Sequence, residues 1–400
     1  MHNIIKSFIL IPLIIILCGC YNYKEINEYA VVSAISIDKS EKNNKKYTVG
    51  IQIMNAKKDE ESDTSSIAFY KMDGNTINEC IQKMILNLPK ELYLGHNEVI
   101  LLSEELLKEE SPLNYLDYFM RNSEVEKDSL VIIAKESKAY NILKIITPLE
   151  TISSSNLKET IKVADDYKGT LASVTLDEFI DNLSNRKKDA ILPSFKLSGD
   201  IKDGKKMDNI KESDPNTKII LSNLGFFENE KLKGYLSNKE EEGYKMLSSK
   251  SNGTFLNIKC DKNNYASIRI IKSKSKEKLY FKNNKPHVNL TINTKAKLIE
   301  YNCKADFLKS KKMIKKLEKE ANKQTEKIAY KALDKLYIKN KSDVLFITDK
   351  FYKIKFNDLK KYKTNENNIK SDVIFKISSN FKIDRIGLTV KSIKEVIKDE

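Results

Sequence analysis

Residues 30–54 read AVVSAISIDKSEKNNKKYTVGIQIM. Apolar side chains alternate with small or polar ones over residues 30–38 and again over 47–54. That is the period of a strand with one packed face. Residues 39–46, between the two runs, carry no apolar side chain. The stretch predicts an antiparallel hairpin with a long polar tip. A strand pair this early rules out an all-helical fold, and the downstream elements decide between the remaining classes.

Residues 56–66 are acidic and polar, and residues 67–72 form a third short strand. Asp73-Gly74-Asn75-Thr76 is a turn and a helix cap. Ile77, Ile81, Met84, Ile85 and Leu88 then recur at helical spacing until Pro89. A buried strand is predicted at 99–102 and a further strand at 130–135. Short helices are predicted at 103–109, 113–121, 139–145, 157–163 and 176–183, with an extended piece at 191–197. Strands and helices mix without a strict βαβ rhythm, so the fold class is α+β. Residues 198–218 are almost free of apolar side chains and carry Gly199, Gly204 and Pro215. They predict a linker or surface excursion over 199–218, dividing an N-terminal region (20–198, with room for two subdomains) from a C-terminal domain (219–400).

The C-terminal domain begins with paired strands at 219–228 and 231–236 and a helix at 240–247. Further strands are predicted at 254–260, 266–271, 288–294 and 296–301. The period then changes. Phe307, Ile314, Leu317, Ala321, Ile328, Ala332 and Leu336 mark one face of a long helix over about 304–338. Strands at 372–377 and 383–390 close the chain. Residues 304–341 hold 13 lysines against 5 acidic residues. The plain reading is the solvated face of an amphipathic helix. The sharper one is contact with anionic lipid or an acidic partner, at about 1 kcal/mol per lysine near such a surface.

Upstream of the hairpin, residues 1–20 read MHNIIKSFILIPLIIILCGC. One cation, Lys6, precedes an apolar run over residues 8–17, too short to span a bilayer but right for a secretory signal. Leu17-Cys18-Gly19-Cys20 resembles the lipobox of bacterial lipoproteins. That resemblance makes residues 1–19 the signal peptide and Cys20 the lipidated residue, an anchor to the outer face of a membrane. Lysine and arginine number 71 against 56 acidic residues, a net charge of +15, yet export places the chain away from nucleic acid. Of the remaining cysteines, Cys80 lies on an apolar helix face and reads as a small core residue. Cys260 and Cys303 could pair in an exported protein, but spacing does not establish a bridge and free thiols are the reading adopted.

Enzymatic chemistry finds no support. Outside the signal the histidines are His96 and His287, and no HExxH, CxxC, GxSxG or Walker A pattern occurs. No catalytic residue, metal ligand or cofactor site is assigned. His287 follows Pro286 at a strand start and reads as structural. His96 lies in the turn Leu94-Gly95-His96-Asn97, where Gly95 is expected at positive φ and the His96 and Asn97 side chains are expected to cap backbone groups.

The order of these features resembles one family, the C-subunit lipoproteins of nutrient germinant receptors in spore-forming bacteria, the Ger(x)C family. Residues 20–27 (CYNYKEIN) with the first strand resemble its lipidated start. Residues 92–102 (LYLGHNEVILL) are similar to its GHNQVIV-like segment, and residues 224–242 (LGFFENEKLKGYLSNKEEE) to a further block. The strand pair ending in Leu298-Ile299-Glu300, the long helix and the terminal strands complete the match. Tyr21 stands where the family usually has tryptophan, and the chain holds no tryptophan at all. The resemblance implies an elongated multi-domain fold with mixed and antiparallel sheets flanked by helices. It implies a non-enzymatic subunit on the outer face of the spore's inner membrane, working with an A-type and a B-type membrane subunit in nutrient-triggered germination. Two other readings compete. A substrate-binding lipoprotein of a transporter would show doubly wound lobes and more glycine than the 12 present. An exported cell-wall enzyme would need a catalytic constellation.

Overall fold

The computed structural model describes residues 28–55, 65–168, 173–260, 264–303, 311–362 and 366–385. The signal peptide, Cys20, Phe307 and the part of the last predicted strand beyond residue 385 lie outside the described residues. The strands are β1 (Tyr29–Lys39), β2 (Tyr47–Met54), β3 (Ile67–Gly74), β4 (Glu91–Tyr93), β5 (Val99–Ser103), β6 (Leu130–Ala134), β7 (Ile191–Leu192), β8 (Ser194–Ser198), β9 (Lys218–Leu221), β10 (Gly225–Glu228), β11 (Lys231–Tyr235), β12 (Phe255–Lys259), β13 (Tyr265–Lys282), β14 (Lys285–Tyr301) and β15 (Ile374–Arg385). The helices used below are α1 (Ile77–Ile85), α2 (Glu104–Glu109), α3 (Leu113–Arg121), α4 (Ala139–Ile142), α5 (Ser153–Lys168), α6 (Leu176–Ser184), α7 (Ile201–Gly204), α8 (Asp208–Lys211), α9 (Asn238–Leu247), α10 (Lys311–Leu333), α11 (Ile347–Tyr362) and α12 (Glu366–Asp372). The class is α+β.

The first sheet runs β3-β2-β1-β5-β6-β8-β9, with β4 beside β1. The predicted hairpin forms with Ile35 opposite Ile51 and Lys39 opposite Tyr47. It is not half-exposed, however. Residues 32–38 of β1 are buried on both faces. One face packs with α1, α3 and α6, and the other with α4 and α5. The small polar residues of the alternation therefore point into a second core. There Ser33 Oγ donates to Gln52 Oε1 at 3.1 Å, and Gln52 Nε2 donates to the Leu143 carbonyl at 2.7 Å. Helix starts follow their caps: Thr76 Oγ1 accepts the Glu79 N–H of α1, and Thr175 Oγ1 the Glu178 N–H of α6.

The stretch expected as a linker folds onto this first sheet instead. Helices α7 and α8 are pinned by buried Asn209, whose Nδ2 donates to the carbonyls of Ile146 at 2.8 Å and Thr217 at 3.0 Å. Strand β9, expected to open the C-terminal domain, pairs with β8. Polar side chains here satisfy backbone groups rather than solvate a tether, which composition alone does not distinguish. A small sheet, β11-β10-β7, comes next. Its hairpin turns at Asn229 and Glu230, both at positive φ (48° and 69°).

The third sheet runs β12-β13-β14-β15. Strands β13 and β14 are far longer than predicted and meet at Asn283-Asn284, both at positive φ (51° and 57°). The predicted late strands are one strand, β15, parallel to β14. Helix α10 lies on the sheet and continues as a π-helical turn, Asp334–Lys339. Leu317, Ala321, Ile328, Ala332 and Leu336 are buried against Ile268, Leu290 and Ile292. Cys260 and Cys303 are joined by a disulfide, Cα to Cα 6.2 Å, which corrects the free-thiol expectation. The reason is the register. Strands β12 and β14 both pair with β13, so the residues just past their ends meet beside Tyr265. Cys80 is fully buried and free, and burial pushes its thiol up to about 11.

Candidate functional site

The GHN turn lies where the first sheet changes strands. Asn97 N–H donates to the Leu94 carbonyl, closing the turn, and Glu98 N–H donates to the Ser33 carbonyl of β1 at 2.9 Å. Gly95 is not among the residues at positive φ, which corrects that expectation. A Cβ there would meet the tip of the Tyr93 ring at 2.6 Å, and that ring, 41% exposed, has room to swing aside. The Asn97 side chain is buried and donates to Ser129 Oγ at 3.1 Å, while Ser129 Oγ donates to the Asn97 carbonyl at 2.6 Å. The bond is thus to a hydroxyl and not to a backbone group. His96 itself is exposed. His287 stacks on its cross-strand partner Tyr280, ring centroids 5.2 Å apart, at the tip of the long hairpin. The two histidines sit on different sheets and form no common site.

A second constellation joins elements from both halves of the chain, and sequence reading missed it. Asp189 Oδ2 accepts from Lys370 Nζ at 2.6 Å and from the Asp343 N–H at 2.7 Å. Its Oδ1 accepts the Asn229 N–H at 3.3 Å. The Asp189–Lys370 pair is almost closed to solvent, with side chains 3% and 10% exposed. Next to it, the Asp343 carboxylate accepts the N–H groups of Ile347 and Thr348 at 2.8 and 2.6 Å and the Tyr337 hydroxyl. Burial nonetheless pushes its carboxyl above the usual range. Ser342 Oγ donates to the Phe227 carbonyl at 2.5 Å. A polar cavity of about 290 Å³ opens beside this junction, with Arg186, Lys188 and Glu230 on its wall. The only sequence signal was polar residues at intervals too wide for any motif.

Helix α10 presents three faces. Among the described residues its apolar stripe is buried as predicted, apart from Ile314, which is half-buried. A second face serves the edge strand β15. Glu318 Oε1, Asn322 Oδ1 and Glu326 Oε1 accept the N–H groups of Ile383 (3.0 Å), Phe381 (2.7 Å) and Ser379 (3.0 Å). Side chains one turn apart on a helix thus match alternate residues of a strand, and they occupy an edge that would otherwise invite another strand. The third face is basic: Lys312, Lys316, Lys319 and Lys323 are exposed, as expected. Among the described residues no helix is long and apolar enough to cross a membrane.

Comparison with known proteins is consistent across the chain. Residues 22–197 match the family described as "Spore germination protein N-terminal domain", and residues 222–387 match "Spore germination B3/ GerAC like, C-terminal". The chain is 26% identical over 397 residues to spore germination protein KC of Bacillus subtilis, covering 97% of both chains. It is 24% identical over 399 residues to spore germination protein B3 of the same organism, covering 96% of this chain and 99% of that one. The crystal structure of the GerBC protein superposes with a TM-score of 0.55 at 20% identity, covering 88% of this chain and 97% of that one. The chain belongs to the Ger(x)C family of spore germination proteins.

Proposed function

We propose that this chain is a non-enzymatic, lipid-anchored subunit of a membrane nutrient germinant receptor, acting in spore germination beside an A-type and a B-type membrane subunit. The observation that carries the reading is the end-to-end match to spore germination protein KC, which leaves little of either chain unaccounted for. Anchoring rests on Cys20, which stands nine residues before Tyr29, the first residue of β1. At about 3.4 Å per extended residue the tether spans at most about 30 Å. The anchor therefore holds the start of the first sheet within about 30 Å of the outer face of the spore's inner membrane. Two acyl chains on one cysteine make such a tether stable where one does not. The basic face of α10 then has anionic lipid as its natural contact.

The test is Cys20→Ala in spores, with membranes washed in high salt and proteins crosslinked before washing. Release of the variant from the membrane, together with loss of crosslinks to two polytopic proteins and loss of nutrient response, is the expected result. A variant that stays fully membrane-bound and supports germination would refute the anchor. A wild-type chain crosslinking to no polytopic protein would refute the receptor.

A further inference from the structure

We propose that the cleft between α9, β12 and α10 is a binding site for a multiply charged oxyanion of the phosphate class. The cleft has a volume of about 370 Å³ and is lined by Lys239 of α9, Lys259 of β12, and Lys323, Lys327 and Lys331 of α10. Two carboxylates, Glu242 and Glu320, share the wall. Lys323 is engaged by Glu320 at 2.9 Å. Among the described residues, Lys239, Lys259, Lys327 and Lys331 have no carboxylate within ion-pairing distance. Five exposed ammonium groups against two carboxylates leave an excess of positive charge around one concavity, which a bound multiply charged anion would offset at closer range than water and mobile counter-ions do.

The backbone holds these lysines together. Helices α9 and α10 touch at Gly243, where a Cβ would lie 2.1 Å from the Ile328 carbonyl oxygen. Lys239 sits one helical turn before Gly243, and Lys327 and Lys331 flank the contact on the other helix. On the opposite wall Gln324 Nε2 donates to the Asn257 carbonyl of β12 at 3.2 Å, fixing the strand that carries Lys259. Buried Ile258 and Ile328 form the floor. The cleft is therefore a cradle whose walls are tied by backbone contacts and whose lysines are exposed. Its charged donors are all ammonium groups, with no arginine fork for planar bidentate recognition, and this suits a tetrahedral anion with charge spread over several oxygens.

Such an anion has two sources, a lipid headgroup or a free phosphate compound. The lipid arm rests on the anionic-lipid contact proposed above and narrows it from a helix face to one cleft. The test uses the full chain carrying Cys20→Ala, so that no acyl chain contributes. Titration with inorganic pyrophosphate is followed by calorimetry, and binding to phosphatidylglycerol-containing vesicles by sedimentation. Lys327→Ala/Lys331→Ala should weaken binding of at least one probe by roughly 30-fold, taking about 1 kcal/mol per lysine at 1.4 kcal/mol per decade. Lys272→Ala/Lys274→Ala, an equal charge change at exposed positions of β13 outside both the cleft and the basic face of α10, should change it less than about 3-fold on the same scale. Selective loss with pyrophosphate alone supports the cleft and rejects its lipid source. Selective loss with vesicles alone supports the cleft and the lipid source. No binding of either probe by the wild-type cleft, or equal losses in the two double variants, overturns the proposal.

Discussion

Lys370→Met tests whether the two halves of the chain are fastened by the Asp189 junction. The substitution keeps the length and apolar stem of the side chain and removes only its charge. Asp189 would then be a carboxylate 3% exposed with no cation beside it. Removing one partner of a buried ion pair costs about 3–5 kcal/mol. Asp189 keeps the N–H groups of Asp343 at 2.7 Å and Asn229 at 3.3 Å, which places the expected loss at the lower end, about 3 kcal/mol. Against a typical total of about 5–15 kcal/mol that is a large fraction. Urea denaturation followed by circular dichroism measures it. Because the lost pair joins residues 189 and 370, unfolding should also separate into two transitions if the halves are stable alone. Asp189→Asn in the Lys370→Met background should recover a substantial part of the loss by removing the stranded charge. A Lys370→Met penalty below about 1 kcal/mol, the size of a surface pair, would refute the argument.

Two further outcomes come from the cores. Leu317 is 2% exposed in the core beneath α10, so Leu317→Ala should cost about 2–5 kcal/mol by thermal or chemical denaturation, and a loss under about 1 kcal/mol would place α10 elsewhere. Asp38 is fully buried, accepting the N–H groups of Ala139 at 2.6 Å and Tyr140 at 3.1 Å, and burial pushes its carboxyl up to about 6. Its neutral form therefore contributes stability below about pH 4 that is lost as the pH rises through about 6, a change of about 2–3 kcal/mol. Asp38→Asn should flatten stability between those limits, and an unchanged profile would show that Asp38 titrates alike in the folded and unfolded chain.

Local periodicity made most of the elements legible: the first hairpin, α1, α9 and the apolar stripe of α10 stand where spacing puts them. What escaped reading was set by partners distant in sequence. The alternation of the first hairpin looked half-exposed because Ser33 of β1 and Gln52 of β2 were read as facing water. They face a second core whose polar groups bond one another. The stretch 272–282, KSKSKEKLYFK, lies beyond the strand predicted at 266–271. It pairs residue by residue with β14, and the Asn283-Asn284 turn was its one local signal. The disulfide depended on register alone. Candidate function divides in the same way. The basic helix was legible because it is one continuous stretch. The Asp189 junction and the lysine cleft were not, since each is assembled from three or more segments by packing.

The split has a physical root in α10. One face of that helix must be apolar to fill the sheet, and this leaves a 3.6-residue signature that any reader of the sequence can find. Its other two faces are equally polar in composition yet do opposite things. Glu318, Asn322 and Glu326 turn inward to accept the N–H groups of β15. Lys323, Lys327 and Lys331, offset around the helix, line an open cleft. Residue type says which side chains can accept an N–H, as glutamate and asparagine do and lysine does not, but it does not say that a strand edge is there to be closed. The separation comes from where β15 and α9 lie, and those positions are fixed by the Gly243 contact and the pairing of β15 with β14. Binding surface on this fold is thus whatever part of a polar helix face the neighbouring strands leave unused.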